Sequence, residues 1–492
     1  MDTNKNTIIE TLLNGECVTL ECKRAKSEVP KSVWETYSAF ANTIGGVILL
    51  GIEENRKESD KKKRFQIIGV DDAQKIVNDF WNTINSDKVN ENILASSNVE
   101  TVEINGVQIV CIHVPQADWR IKPIYLNGNV YKGTYRRNHE GDYHCTERQV
   151  RAMIRDSFED GNDGMLLEHY DMNDIDLDTL HRYRTLFQFR NDGHVWNEAD
   201  DKTFLKNLGG YIIDRATGKE GLTMAGLMMF GKGLSVQERF ANFRMDYLDF
   251  CNLIGDERYS DRLTYDGRWE NNLYQFFSRV IPKVTADLPR PFHMEGIQRV
   301  DDTPQHKAVR EAFTNAIIHS DLLMDAGILR VEKHDDRLCF RNPGLLKLPV
   351  EMIYEGGNSK ARNPRIQNML RMVGYGENVG SGFPTIISAW KEAHWGEPEL
   401  KNKFEIDEVE LVLPIPVRGA NNRVNDSRND RINSSMMVTL TIVRSNPGIQ
   451  RKGISNISGK SISTIDRHLA ILVKEGLIEH RDSDKTGGYY AK

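Results

Sequence analysis

From Ser38 to Asn55 the chain reads SAFANTIGGVILLGIEEN. Val33, Tyr37, Phe40 and Ile44 recur at helical spacing, the paired glycines Gly45-Gly46 follow, and the apolar run VILLGI begins at once. A helix stops well at glycine, because a left-handed residue there carries no Cβ penalty and lets the last carbonyls be satisfied. An apolar run without alternation is a strand buried on both faces. The chain is therefore expected to bury this strand inside a covered sheet, with Asn42-Thr43 capping the turn. Burial does not explain the two carboxylates at the exit, Glu53 and Glu54.

Around this unit the pattern stays mixed. CVTLECK (Cys17–Lys23) alternates, with Val18, Leu20 and Cys22 on one face and Thr19, Glu21 and Lys23 on the other. Asn105-Gly106 marks a hairpin, VYKGTYRRN a further strand and TERQVRAMIRD a helix. Residues 157–300 read as mostly helical, and 301–416 as a second α+β unit. The polar stretch Arg418–Ser435 reads as a linker. An α+β multidomain chain of 492 residues follows. Six scattered cysteines without a C-x-x-C pair fit a reducing cytoplasm. The N-terminus lacks a basic and then apolar leader pattern, and no apolar run is long enough to span a membrane. A cytoplasmic protein is expected.

Charge is uneven. From Arg418 onward there are 13 Lys and Arg against 7 Asp and Glu, a local +6 in a chain of net −6. Such asymmetry points to nucleic acid at the C-terminal end. A second basic stretch, WRIKPIYLNGNVYKGTYRR, interleaves tyrosines with Lys122, Lys132, Arg136 and Arg137. Aromatic faces stack on bases while cations meet phosphates; equally, the tyrosines are core residues and only Arg136-Arg137 is exposed. Glu16, Glu21, Lys23, Glu53 and Glu54 lie at strand ends, where carboxylates with a lysine suit Mg²⁺- or Mn²⁺-dependent phosphodiester chemistry. The alternative is a plain surface pair, Glu21 with Lys23. Glu16 and Glu21 are five apart, so a regular strand turns them to opposite faces. Cys111, His113, His144 and Cys145 offer a Zn²⁺ set, although the adjacent His-Cys is awkward for a tetrahedron.

LECKRAKSEVPKSVWETYSAFANTIGGVILLGIEEN together with IKPIYLNGNVYKGTYRRNHEGDYHC resembles the AlbA-type domain of the Schlafen family. The resemblance implies a nucleic-acid domain over 1–156. In the vertebrate members this domain cleaves RNA with three acidic residues, which map onto Glu16, Glu21 (with Lys23) and either Glu53 or Glu54. Those members also carry a structural zinc.

REAFTNAIIHSD places Glu311 and Asn315 four apart on one helix face; NPG and GYGENVGSGF follow downstream. In this order the segments resemble a divergent GHKL-type ATPase, an α/β sandwich, over 301–416. The resemblance implies that Glu311 orients a water, Asn315 binds Mg²⁺, Asn342 and Gly344 lie against adenine, and Gly380 and Gly382 cover the phosphates of ATP. Asn342 stands where that family has an aspartate, so binding of ATP is expected more than hydrolysis.

QRKGISNISGKSISTIDRHLAILVKEGLIEHRDSDKTGGYY resembles a winged helix-turn-helix over 436–492, after a linker at 417–435. Its second helix exposes Ser463, Thr464, Arg467 and His468 to DNA in this reading. A helical connector, 157–300, joins the first two domains. Two functions are implied: an ATP-responsive, DNA- or RNA-binding transcriptional regulator, expected as a homo-oligomer, or a Schlafen-type metal-dependent endonuclease of RNA, tRNA or single-stranded DNA acting in phage defence.

Overall fold

In the computed structural model, which describes residues 18–55, 58, 64–139, 141–159, 161–253, 256–289, 294–295, 298–299, 302–357, 360–376, 382–416, 434–458, 462–474, 476–481 and 487–491, the opening stretch folds as helix, glycine turn and strand. Strand β1 (Leu20–Lys23) leads to helix α1 (Ser32–Asn42) and then β2 (Gly46–Leu50). Gly45 has φ +76° and its N–H donates to Phe40 O at 2.9 Å. A Cβ at Gly46 would lie 2.8 Å from the Phe40 ring, so the second glycine lets the strand leave directly beneath the helix.

β2 is central in a four-stranded sheet of order β1-β2-β6-β5, with β5 (Val99–Ile104) and β6 (Val107–Val114). β1 runs parallel to it and β6 antiparallel. Ile48 and Leu50 pack with Phe40 and Phe80 beneath α1 and α2 (Ala73–Ile84), while Leu49 faces Leu20, Cys22, Ile109 and Cys111 on the other side. All three strand residues are fully buried, and each contributes about 1.5–3 kcal/mol. The carboxylates leave on β3 (Ile52–Glu54), which pairs with β4 (Phe65–Ile67) in a ribbon of its own.

The basic stretch departs from expectation. Val130–Gly133 is a helical turn, α3, because the Asn129 side chain accepts from Lys132 N at 3.0 Å. Only Tyr135–Asn138 is a strand, β7, paired with β8 (Gly141–His144) before helix α4 (Glu147–Ser157). Asn42 does not cap its own helix. Its amide donates to Ile124 O and Tyr135 O at 2.8 and 3.1 Å and accepts from Ile124 N at 2.8 Å, pinning the basic segment against α1.

Residues 157–300 are more than a helical connector. Helices α5 (Leu177–Arg190) and α6 (Asp201–Asn207) precede the hairpin β9 (Tyr211–Ile213) and β10 (Glu220–Leu222). Helices α7 (Met224–Phe230) and α8 (Gly233–Arg239) follow, then β11 (Arg244–Asp249), β12 (Asp261–Leu263), α9 (Leu273–Thr285) and a two-residue ribbon, β13 (Met294–Glu295) with β14 (Gln298–Arg299). β11 and β12 belong to the sheet of the next segment. That segment contains α10 (Pro304–Ile318), β15 (Ile328–Lys333), β16 (Arg337–Pro343), α11 (Val350–Glu355), α12 (Pro364–Met372), α13 (Gly382–Glu392), β17 (Glu399–Lys403) and β18 (Glu408–Pro414). The six-stranded order is β12-β11-β15-β16-β18-β17, with β11 parallel to β15. One core runs through both segments: Phe313 of α10 stacks on Phe277 of α9 at 4.9 Å and meets Phe340 of β16.

The chain divides into two compact units, 1–415 and 416–492. In the second, α14 (Ser434–Ser445), α15 (Arg451–Ser458) and α16 (Ile462–Lys474) close over Leu440, Val443, Ile454, Ile465, Leu469 and Leu472. A hairpin of β19 (Ile478–Arg481) and β20 (Gly488–Ala491) completes it. Among the described residues no helix is long and apolar enough to cross a membrane.

Candidate functional site

α10 starts on a Thr303 cap with Pro304 in its first turn, and carries Glu311 and Asn315 one turn apart. Asn315 Nδ2 donates to Glu311 Oε1 at 3.2 Å. The N-terminus of α13 comes down on this pair so closely that any side chain at Gly382 would collide with the Glu311 carboxylate. Asn342, on β16, is buried, and its Nδ2 finds no hydrogen-bond partner among the described residues. These four residues line one cleft of about 950 Å³, open mouth included. An amide unpartnered among the described residues, a helix that begins at Gly382 and a Glu-Asn pair form a donor and acceptor set that fits a purine, its phosphates and a divalent cation.

Gly344 does not line this cleft. It has φ +93°, and its N–H donates to Asp407 O at 2.7 Å on the wall of a neighbouring cavity. Gly380 lies outside the described residues. Sequence reasoning missed His319, Lys347 and Lys360, which also line the cleft. His319 follows Asn315 by one helical turn, and that spacing was the available signal. Burial first, then Arg362 and Lys347, push the imidazole down to about 4, so it is neutral at physiological pH.

The basic residues of the first domain are mostly engaged. Arg136 and Arg137 are buried, which corrects their expected exposure. Arg136 Nη1 lies 2.7 Å from Asp407 Oδ1, and its Nη2 donates to Phe404 O at 2.7 Å. Arg137, with no exposed side-chain surface, lies 2.8 Å from Glu21 and 3.0 Å from Asp142, over the Phe40 ring. Lys122 donates to Asn42 O at 3.2 Å, and Lys132 is exposed. Two further bridges cross the same seam: Arg155 to Asp321 at 2.7 Å and Arg362 to Asp156 at 2.7 Å.

The acidic residues are neutralised by cations. Glu21 is buried between Lys23, at 2.6 Å, and Arg137. Glu53 pairs with Arg24 at 3.1 Å, and Glu54 with Arg64 at 2.7 Å. Neighbours on a strand, they leave on opposite faces. Glu16 lies outside the described residues.

The four zinc candidates are not brought together. Among the described residues, Cys111 and His113 cluster with Glu100, and the other group of this kind is Glu332, His334 and Cys339. The His144 ring lies tilted against Tyr135, 4.3 Å between centroids, and Cys145 is buried beside it. Burial pushes the Cys111 and Cys145 thiols up to about 12, so both are protonated.

In the second unit Arg467 is exposed, Thr464 half-buried and Ser463 in helix α16. His468 is buried instead, its Nδ1 2.9 Å from Thr439 Oγ1, which makes it part of the core. It falls one residue before Leu469, on the edge of the apolar stripe.

Residues 16–146 match the family "Schlafen, AlbA_2", 151–246 a domain of unknown function (DUF8451), and 328–413 the family "Putative ATP-dependent DNA helicase recG C-terminal". No curated protein matches the chain. Among solved structures, the DIP2311 protein of Corynebacterium diphtheriae is similar at 14% identity and a TM-score of 0.38, over 99% of this chain and 83% of that one. The N-terminal domain of a "Putative ATP-dependent DNA Helicase RecG-related Protein" of Nitrosomonas europaea is similar at 25% identity and a TM-score of 0.23, over 29% of this chain and 94% of that one. The chain thus carries a Schlafen AlbA_2 domain, and beyond it an ATPase-like domain of the recG C-terminal kind.

Proposed function

We propose that the protein is a nucleotide-responsive nucleic-acid-binding regulator, with ATP and Mg²⁺ held in the cleft of the ATPase-like domain. The observation that carries this reading is the convergence of Glu311, Asn315, Asn342 and Gly382 on one cavity, with Asn342 Nδ2 left without a partner among the described residues. A buried amide without a bond is costly, and an adenine ring nitrogen would satisfy it. Asn315 and Glu311 would take the magnesium and a water, and the N-terminus of α13 at Gly382 the phosphates. When bound, the metal would offset the phosphate charge. Calorimetric titration with ATP and Mg²⁺ tests this: a single site lost in Asn315→Ala supports it, and no heat at millimolar ATP refutes it.

DNA binding is assigned to the C-terminal unit as a winged helix. Three helices and a hairpin, the exposed Arg467 and the local charge of +6 support α16 as the helix that enters the major groove. His468 holds the core in this reading rather than touching DNA.

Binding is favoured over cleavage in the AlbA_2 domain. A guanidinium and an ammonium already sit on Glu21, where a nuclease would need a divalent cation. Incubation of the protein with labelled tRNA and single-stranded DNA in Mn²⁺ separates the two. Cleavage lost in Glu21→Ala would overturn the binding reading.

A further inference from the structure

A second cavity, of about 790 Å³, lies between the AlbA_2 domain and the ATPase-like domain. Its wall carries three aspartates, and each is matched. Asp407 meets Arg136 at 2.7 Å and Arg148 at 3.6 Å; Asp321 meets Arg155; Asp156 meets Arg362. Two ammonium groups remain. Lys347 is about nine-tenths buried and has neither a hydrogen bond nor an ion pair among the described residues; its Nζ rests 4.5 Å above the Trp119 ring. Among the described residues Lys122 has a single carbonyl, Asn42 O, and no carboxylate within ion-pair distance. Both line this cavity.

A buried ammonium without an anion is expensive, and proteins neutralise or pair such groups. Burial pushes both lysines down to about 8. Around Lys122 the facing charges are Arg136, Asp156 and Asp118; around Lys347 they are Asp156, Arg362, Lys360 and Asp321. The carboxylates among them that line the cavity are already bridged to arginines, so the surplus positive charge has no partner there among the described residues. The remaining walls suit a small organic anion. Met153, Leu345 and Phe404 give apolar surface, and Gln116 and Asn402 give amides.

We propose that this interdomain cavity is a binding site for a phosphate group on a small molecule, clasped by Lys122 and Lys347. The site is separate from the nucleotide cleft and independent of whether that cleft takes ATP. Lys347 and Leu346 line both cavities, so an anion here sits one side chain away from the cleft.

The test uses the full chain and three probes: sulfate, inorganic phosphate and ribose 5-phosphate. Calorimetry is expected to show binding of each at millimolar concentration or tighter. Lys122→Gln should weaken it at least tenfold, whereas Asn315→Ala, in the other cleft, should leave it unchanged. Sulfate does not titrate near pH 8, so a pH-stat at pH 8 should record proton uptake as the half-charged lysines become fully charged. Gln116→Glu supplies an internal carboxylate and should abolish binding, which keeps the test open should Lys122→Gln fold poorly. Tighter binding of ribose 5-phosphate than of phosphate identifies a phosphorylated organic ligand, and equal binding identifies free phosphate. Absence of binding, binding without proton uptake, or binding removed by Asn315→Ala and not by Lys122→Gln overturns the proposal.

Discussion

Arg136 Nη1 and Asp407 Oδ1 lie 2.7 Å apart, and this pair ties the AlbA_2 domain to the β17–β18 edge of the ATPase-like sheet. Both side chains are largely buried, at 8% and 14% exposure. A cation that reads in sequence as a phosphate contact is thus a fastening between domains.

Arg136→Ala is therefore expected to destabilise the first unit by about 3–5 kcal/mol, because among the described residues it leaves the Asp407 carboxylate with only the longer Arg148 contact. Urea unfolding reads this as a lowered midpoint. The salt dependence of DNA binding should not change; a slope reduced by about one would return Arg136 to the nucleic-acid surface.

Asp163 gives a pH prediction. Its side chain is fully buried, Oδ2 accepts from Arg365 N at 2.8 Å and Ile366 N at 2.9 Å at the start of α12, and burial pushes the carboxyl up to about 6. The folded state therefore holds this proton more tightly than the unfolded one. Its contribution is fully present below about pH 4 and is lost as pH rises through 6. At about 1.4 kcal/mol per pH unit, the loss is about 3 kcal/mol. Asp163→Asn keeps an acceptor for both amides. The difference in stability between wild type and variant should change across pH 4–6 by that order, and a flat difference would contradict the account.

Gly382→Ala places a methyl group against Glu311 Oε1. ATP affinity is expected to fall at least tenfold in calorimetry with little change in the far-ultraviolet spectrum, since the clash lies at a helix end.

Chelation should leave the first unit intact. With the four candidate ligands not brought together, melting in excess EDTA is expected at the same temperature as without it. A fall of several degrees, with zinc in the chelator fraction, would restore the Cys-His site.

Much of the fold was legible because local chemistry decides it. Gly45-Gly46 and VILLGI specify a helix end and a two-sided buried strand whatever lies around them, and Asn105-Gly106 fixes a hairpin. Spacing alone puts Glu311 and Asn315 on one helix face, whereas the nucleotide cleft around them was implied by the family resemblance. What stayed hidden depends on distant residues. RMDYLD falls in a stretch that reads as mostly helical, and it becomes β11 between its distant partner β15 and its neighbour β12. Arg136 and Arg137 look exposed until Asp407, Glu21 and Asp142 are brought to them by the fold. Lys347 is one more loop lysine until the Trp119 ring covers it.

The central claim is that nucleotide in the cleft governs nucleic-acid binding, and duplex affinity at fixed salt, measured with and without saturating ATP and Mg²⁺, tests it most directly. The account predicts at least a tenfold change for wild type and none for Asn315→Ala. Equal affinities for wild type with the cleft demonstrably filled would contradict it.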